Sequence, residues 1–248
     1  MAKFITKFDT TSDFAAFSAT TNFGRPHVSL IKDDSKIHYF ENNSHNGHEY
    51  VEIGGLKWAT MNIGASKPSD YGLYFAWGDT QGYTAEQLSS GEEQKYFGWA
   101  DYKHGNETSS PGETGMTKYN STDKLTTLKA SDDAAVANWG GRWRMPTTGE
   151  FQALGAAVDT EWTQFNGAYG ILCKDKKDSS KTLFFPAAGN CHDGSVEEDV
   201  GDYGYYWSSS LYTSSRQGAY YLLFGSYDAN WGGNYDRYFG FAVRPVVG

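Results

Sequence analysis

The sequence predicts an α+β fold of short twisted strands, two helices and long loops, preceded by a small helix–hairpin appendage. Three observations carry this expectation. Aromatic residues make up 17% of the chain and glycine numbers 29, a mixture that favours strands, tight turns and irregular loops over helices. Two helix-start signals, SDDAA and PTTGE, fall close together near the middle. Short apolar or aromatic runs bounded by turn residues recur on either side of them. A chain of 248 residues fits one large domain with a small addition. The aromatic load is enough for a core, since each buried ring removes roughly 150–250 Å² from water.

Residues 1–46 read as the appendage. In TTSDFAAFSA, Thr10, Thr11 or Ser12 caps a short helix with Phe14 and Phe17 on one side. HVSLIKDDSKIHYF gives a strand, a turn at Asp33-Asp34-Ser35, and a second strand with Ile37 and Tyr39 alternating. ENNSHNGHE follows as a linker. A unit this small is expected to dock on the main domain, on a second copy, or on a larger assembly.

The main domain is expected over 47–248. In YVEIGGLKWATMNIG, Val51 and Ile53 alternate, Gly54-Gly55 turns the chain, and Leu56, Trp58 and Met61 resume. YGLYFAWGD is a further short strand, ending at Gly78-Asp79. Residues 80–120 read as a polar insertion with little regular structure, carrying Tyr96, Phe97, Trp99 and Tyr102. Ser131 is expected to cap the first helix, with Asp132 and Asp133 in its first turn and Gly140-Gly141 at its end. Thr147 caps the second, with Glu150 completing a capping box and Phe151, Leu154 and Val158 facing the core. Short strands then follow at GILCK, TLFFPAAG, YYWSSS, AYYLLF and FAVRPV.

The charge pattern and side-chain inventory exclude several functions. A net charge of -9 argues against nucleic acid as a partner. The first residues lack the apolar run of a signal peptide, and no stretch predicts membrane insertion. The residues show no zinc-binding spacing, phosphate loop or nucleophile elbow, so no catalytic or metal site and no cofactor is expected. Cys173 and Cys191 are too few for a disulfide framework and read as buried thiols, with a bridge as the alternative. Asp132-Asp133, Asp79 and Glu150 are read as helix and turn residues rather than as an acid–base or calcium pair. Asp199/Asp202 and Asp228/Asn230/Asn234/Asp236 offer oxygens to a hard cation but lack EF-hand spacing.

The C-terminal stretch, from Tyr205 on, mixes apolar ribs with Tyr, Ser, Asn and Gly. After Glu198 it contains no Lys, Glu or Met. Alternation in AYYLLF places Tyr220, Leu222 and Phe224 on one face and Tyr221 and Leu223 on the other. With the first face inward, Tyr221 and Leu223 point out. Phe241 and Val243 read as core, while Tyr235, Tyr238 and Phe239 crowd a loop. Aromatics among small polar residues make a binding surface of paratope type; an aromatic β core with ordinary loops is the plain alternative. An AAC codon mutated at its adenines becomes NNC, which never encodes Trp, Met, Lys, Gln or Glu. Between Leu211 and Gly240 those types appear only as Gln217 and Trp231, which fits diversification at adenines on a fixed skeleton.

YVEIGGLKWATMNIGA, DYGLYFAWGDT, DDAAVANWGGRWRMPTTGEF, FFPAAG, GYYWSSS and FGFAVRPV, taken in order, closely resemble the Fibrobacter succinogenes major paralogous domain family of Bacteroidetes and their phages. The resemblance covers about 50–248. It implies a C-type lectin fold, related to formylglycine-generating-type domains and to the variable proteins of diversity-generating retroelements. By that resemblance the variable region spans about 205–240. The display positions are Tyr212, Arg216, Tyr221, Leu223, Gly225, Tyr227, Asp228, Asn230, Gly232, Asn234, Tyr235, Tyr238 and Phe239. Trp207, Leu222, Phe224, Trp231, Arg237, Phe241, Val243 and Arg244 are the scaffold. The implied partner is a protein or glycan receptor on a cell surface. The implied setting is a phage tail, with a bacterial surface as the alternative, and residues 1–46, which resemble N-terminal pieces of gut-phage structural proteins, serve homo-oligomer or virion assembly. Glu-Pro-Asn and Trp-Asn-Asp are both missing, which departs from calcium-dependent sugar binding. Cys173 and Cys191 lie before the C-terminal region, which departs from formylglycine-generating oxidases. A non-enzymatic binding protein is therefore the leading expectation. A non-diversified surface or carbohydrate-binding module is the first alternative and an oxidase the minor one.

Overall fold

The computed structural model describes residues 31–33, 36–38, 43–91, 95–106 and 115–248. The helix expected at Thr10–Phe17 lies outside them. Ile31–Asp33 (β1) and Lys36–His38 (β2) pair antiparallel, as the hairpin expected here requires; Asp34 and Ser35 of its turn, and Tyr39, lie outside the described residues. Asn43–His45 (β3), His48–Ile53 (β4) and Leu56–Ala59 (β5) form a meander. The linker reading of ENNSHNGHE is thus corrected. Asn46 and Gly47 take positive φ of 46° and 83°, the left-handed pair that closes a two-residue hairpin, and the sheet begins at Asn43. The Gly54-Gly55 turn forms as expected, at φ of 63° and 81°.

The insertion is also more ordered than its composition predicts. It contains helix Ala85–Ser90 (α1), closed by a Thr84–Gln87 capping box, and a 3-10 turn at Trp99–Asp101. Phe97, Trp99 and Tyr102 enter the core, whereas Tyr96 is exposed. Next comes Ala134–Trp139 (α2), whose cap is Asp133 and not Ser131. Ala130–Asp132 winds as a 3-10 turn, which carries Ser131 away from the helix start. The Asp133 carboxylate accepts from Ala135 N at 2.8 Å, Val136 N at 3.2 Å and Met145 N at 2.9 Å, so one side chain serves three amides. Gly140 ends the helix, as expected. Trp143–Arg144 (β6) leads to Thr148–Ala157 (α3). Its capping box forms as predicted, with Glu150 N donating to Thr147 Oγ1 at 3.2 Å and Thr147 N to Glu150 Oε2 at 2.7 Å.

Val158–Phe165 (β7), Ala168–Asp175 (β8) and Thr182–Pro186 (β9) make a three-stranded antiparallel sheet. Asn190–His192 (β10) and Ser195–Glu198 (β11) pair as a small hairpin. Gly204–Leu211 (β12), Gly218–Phe224 (β13) and Ala229–Asp236 (β14) form another three-stranded sheet. Val246–Val247 (β15) then inserts between β5 and β6, completing the order β3-β4-β5-β15-β6. FAVRPV is therefore mostly not a strand: Phe241 and Ala242 make isolated bridges to Phe75 and Tyr206. The described architecture is α+β, with mainly antiparallel strands and few helices.

Two cores flank the β12–β14 sheet. One gathers Trp77, Tyr119, Trp143, Trp207, Tyr221 and Phe241; the other holds Trp58, Phe151, Leu154, Phe185, Leu222 and Phe224. Two arginines are sealed inside. Arg244 donates through Nε to Asn62 Oδ1 at 2.8 Å and through Nη1 to Ala59 O at 3.1 Å, with its guanidinium 4.6 Å from the Phe185 ring centre. Burial pulls its pKa down to about 10. Arg237 lies over Trp77 and Tyr102 and donates to Lys118 O at 3.2 Å. Both fill planar aromatic slots and satisfy carbonyls, as a guanidinium can and an ammonium cannot. Among the described residues, no helix is long and apolar enough to cross a membrane.

Candidate ligand-binding face

The tail is built on β13. Its register sets Leu223 against Tyr205 and Tyr221 against Trp207 on one side, and Leu223 against Asn230 and Tyr221 against Gly233 on the other. Leu222 and Phe224 point into the second core, as alternation requires. The opposite face is not open to water, however. Tyr221 is only 6% exposed, packed at 5.3 Å from Phe241, 5.9 Å from Tyr205 and 6.1 Å from Tyr235. The expectation that Tyr221 points out is corrected: the sheet is covered on both faces, so strand alternation separates two cores rather than core from solvent. Tyr220, expected inward, is half-buried, its ring edge-on to Tyr212 at 5.4 Å.

The other display positions divide in the same way. Tyr227, Asp228, Asn230, Asn234 and Tyr235 are exposed, and Tyr212, Arg216, Leu223 and Gly232 are half-buried. Gly225, Tyr238 and Phe239 are buried, which corrects their placement as surface contacts. Phe239 is wedged between Tyr235 at 4.4 Å and His192 at 4.5 Å, and Tyr238 rests edge-on against Trp99 at 4.8 Å. The expected loop around Tyr235 is strand β14 with a tight turn after it. Of the scaffold residues, Trp207, Leu222, Phe224, Arg237, Phe241, Val243 and Arg244 are fully buried. Trp231 is half-buried, and its ring lies so close to α3 that a Cβ on Gly155 would come within 2.7 Å of it.

Where the 212–218 turn meets the end of β14, a shallow depression of about 290 Å³ opens. Tyr212, Asn234, Tyr235, Asp236, Tyr238 and Phe239 line it, five of them expected display residues. Burial raises the Asp236 carboxyl above the usual carboxylate range. Burial, then the charges of Asp193 and Asp236, push the Tyr238 phenol well up. At the far end of β12, Tyr205 donates to Asp199 Oδ2 at 2.8 Å, and His192, whose ring packs on Phe239, has Nε2 2.8 Å from Glu198 Oε2. Sequence reasoning gave Tyr205 no role. It met Asp236 only as an oxygen donor.

The remaining chemistry is sparse. Cys173 and Cys191 are buried and no disulfide joins them; burial pushes the Cys173 thiol up to about 12, far from a reactive thiolate. Asp132 is buried among Lys118, Tyr119, Lys103 and His104. No group of three or more His, Cys, Asp or Glu positioned for a metal ion occurs among the described residues. Residues 173–246 match a family described as a domain of unknown function (DUF8237). No curated protein matches the chain significantly, and neither does any solved structure.

Proposed function

We propose that this chain is a ligand-binding protein of adhesin type, with a C-type lectin-like fold and a C-terminal face diversified by a retroelement. One observation carries the reading most: within 205–244 the rib residues other than the half-buried Trp231 are sealed inside, while Tyr227, Asp228, Asn230, Asn234 and Tyr235 reach solvent along one strand and its adjoining turn. Exposed residues on a strand paired along its length can change identity without changing backbone pairing, because the ladder is made by main-chain groups. Exposed Tyr and Asn beside Gly give stiff contact area with adaptable hydrogen bonding. Between Leu211 and Gly240, residues excluded from NNC codons are confined to Gln217 and to Trp231, which packs on α3. The receptor is a cell-surface protein or glycan, and the setting a phage tail.

The test is deep sequencing of the 3′ end of the gene and its flanks in a natural population. The expected result is substitution at template adenines in codons for the exposed positions, with a near-copy repeat and a reverse transcriptase gene nearby. An invariant tail without a template would instead make this a fixed-specificity module of the same fold.

A further inference from the structure

The depression between Tyr212 and Tyr238 has a charge and ring arrangement that narrows its occupant. Asp236 lines it and has no cation within ion-pair distance among the described residues. The nearest arginines in sequence are engaged elsewhere: Arg216 reaches Leu125 O at 3.4 Å, and Arg237 is buried over Trp77 and Tyr102. A second carboxylate, Asp193, acts on the Tyr238 phenol. A half-buried carboxylate that no described cation pairs with favours a positive group that restores what desolvation removed.

The rings point the same way. Among the rings that line it, Tyr235 meets Phe239 at 74° and Tyr238 is inclined at 39° to Phe239, so no two of these three lie parallel. Rings inclined to one another make walls around a small group, whereas a sugar ring calls for a flat stacking platform. Aromatic walls with an acidic group suit a cation, which the negative π faces attract.

Taking the display reading as its premise, we propose that this depression receives a cationic side chain, lysine or arginine, from a protein partner. Asp236 supplies the counter-charge and Tyr235 the exposed ring, with the largely buried Tyr238 lining the depression behind them. The partner is then a basic protein segment, and the surrounding exposed residues set which one.

The test uses the full chain with ring-¹³C tyrosine, titrated by NMR with Nα-acetyl-lysinamide and Nα-acetyl-argininamide. Nα,Nε-diacetyl-lysinamide serves as the uncharged counterpart and methyl glucoside as the sugar probe. The expected result is a saturable shift of the Tyr235 and Tyr238 rings with the cationic probes. Binding should be weaker by about fivefold or more for the uncharged probe and in Asp236→Asn. If Asp236→Asn does not fold, Tyr235→Leu takes its place, with the same loss expected. Equal binding of charged and uncharged probes, or a loss smaller than that, overturns the cation assignment. Methyl glucoside shifting the same rings more strongly also overturns it, while leaving the display reading standing. No ring shift with any probe overturns it as well. The display reading itself falls only with an invariant tail in the sequencing experiment.

Discussion

Tyr221 and Tyr235 lie 6.1 Å apart, ring centre to ring centre, on the same side of one sheet, yet they answer to different constraints. Tyr221 is 6% exposed and Tyr235 is 44% exposed. Truncating Tyr221 to Ala removes a ring from a packed cluster and should cost about 3–4 kcal/mol in denaturant unfolding. Tyr235→Ala should cost about 1 kcal/mol or less. Equal losses would place both in the core and leave the face without its central residue. At this scale, the sequence disclosed identity better than direction. Alternation assigned Leu222 and Phe224 correctly, and misassigned Tyr221 because it cannot tell whether the far side of a strand meets water or a second layer. The same limit applies to Asp133. Ser131 and Asp133 are both good caps, and only the 3-10 turn at Ala130–Asp132 selects between them.

At the scale of elements, contacts outside the segment decide what composition leaves open. Strand β14 reads ANWGGNYD, poor in strand formers; it is a strand because β13 pairs along it and because Trp231 lies on Gly155. That close approach gives a test in which two effects oppose. Gly155→Ala should favour α3 by about 1 kcal/mol through helix propensity. The added Cβ would meet the Trp231 ring at 2.7 Å, and overpacking typically costs about 1–3 kcal/mol. The expected result is a lower midpoint, and a higher one would mean that β14 is not held against α3. Strand β7, VDTEWTQF, escaped notice for a related reason: most of its side chains are exposed or half-buried and only pairing with β8 defines it. The capping box of α3, by contrast, was fully legible, since its signal is local. Glu150 also binds Arg144 Nη2 at 2.5 Å and Nη1 at 2.8 Å. Burial raises its carboxyl, but the Arg144 and Thr147 hydrogen bonds outweigh burial and hold it below the ordinary value. A depressed folded-state pKa stabilises above the unfolded value and is lost as pH falls through the folded one. Glu150→Gln, which keeps the cap acceptor, should therefore cost about 1 kcal/mol at pH 7, discounted for partial exposure. The cost should disappear as pH drops through the carboxylate range. Urea melts at pH 7 and pH 3 check the sign, and a loss unchanged at pH 3 would assign the effect to packing.

For the molecule as a whole, the prediction concerns how independent the face is from the frame. Exchanging Tyr227, Asp228, Asn230 and Asn234 together for serine should move Tm by no more than about 4 °C, because exposed substitutions each cost little. A collapse of the transition would mean that those side chains hold the tail together. The α+β class and most central strands were legible from aromatic runs and turn residues. The joining of distant segments was not, since β15 is two residues long and carries no periodicity at all. Residues of the insertion, such as Phe97 and Trp99, sit in a polar stretch whose composition masks their burial.

That two-residue strand has a consequence for synthesis. Strands β5 and β6 emerge early, but Val246 and Val247 join them only after every exposed position of the tail has been translated. A ribosome that stops or shifts frame anywhere in that stretch releases a chain whose largest sheet is missing the strand between β5 and β6. Such a product is left with unpaired backbone and uncovered apolar surface, the features by which cellular proteases select their substrates. Closure of the largest sheet thus waits on a strand that follows the exposed positions of β14 in the chain.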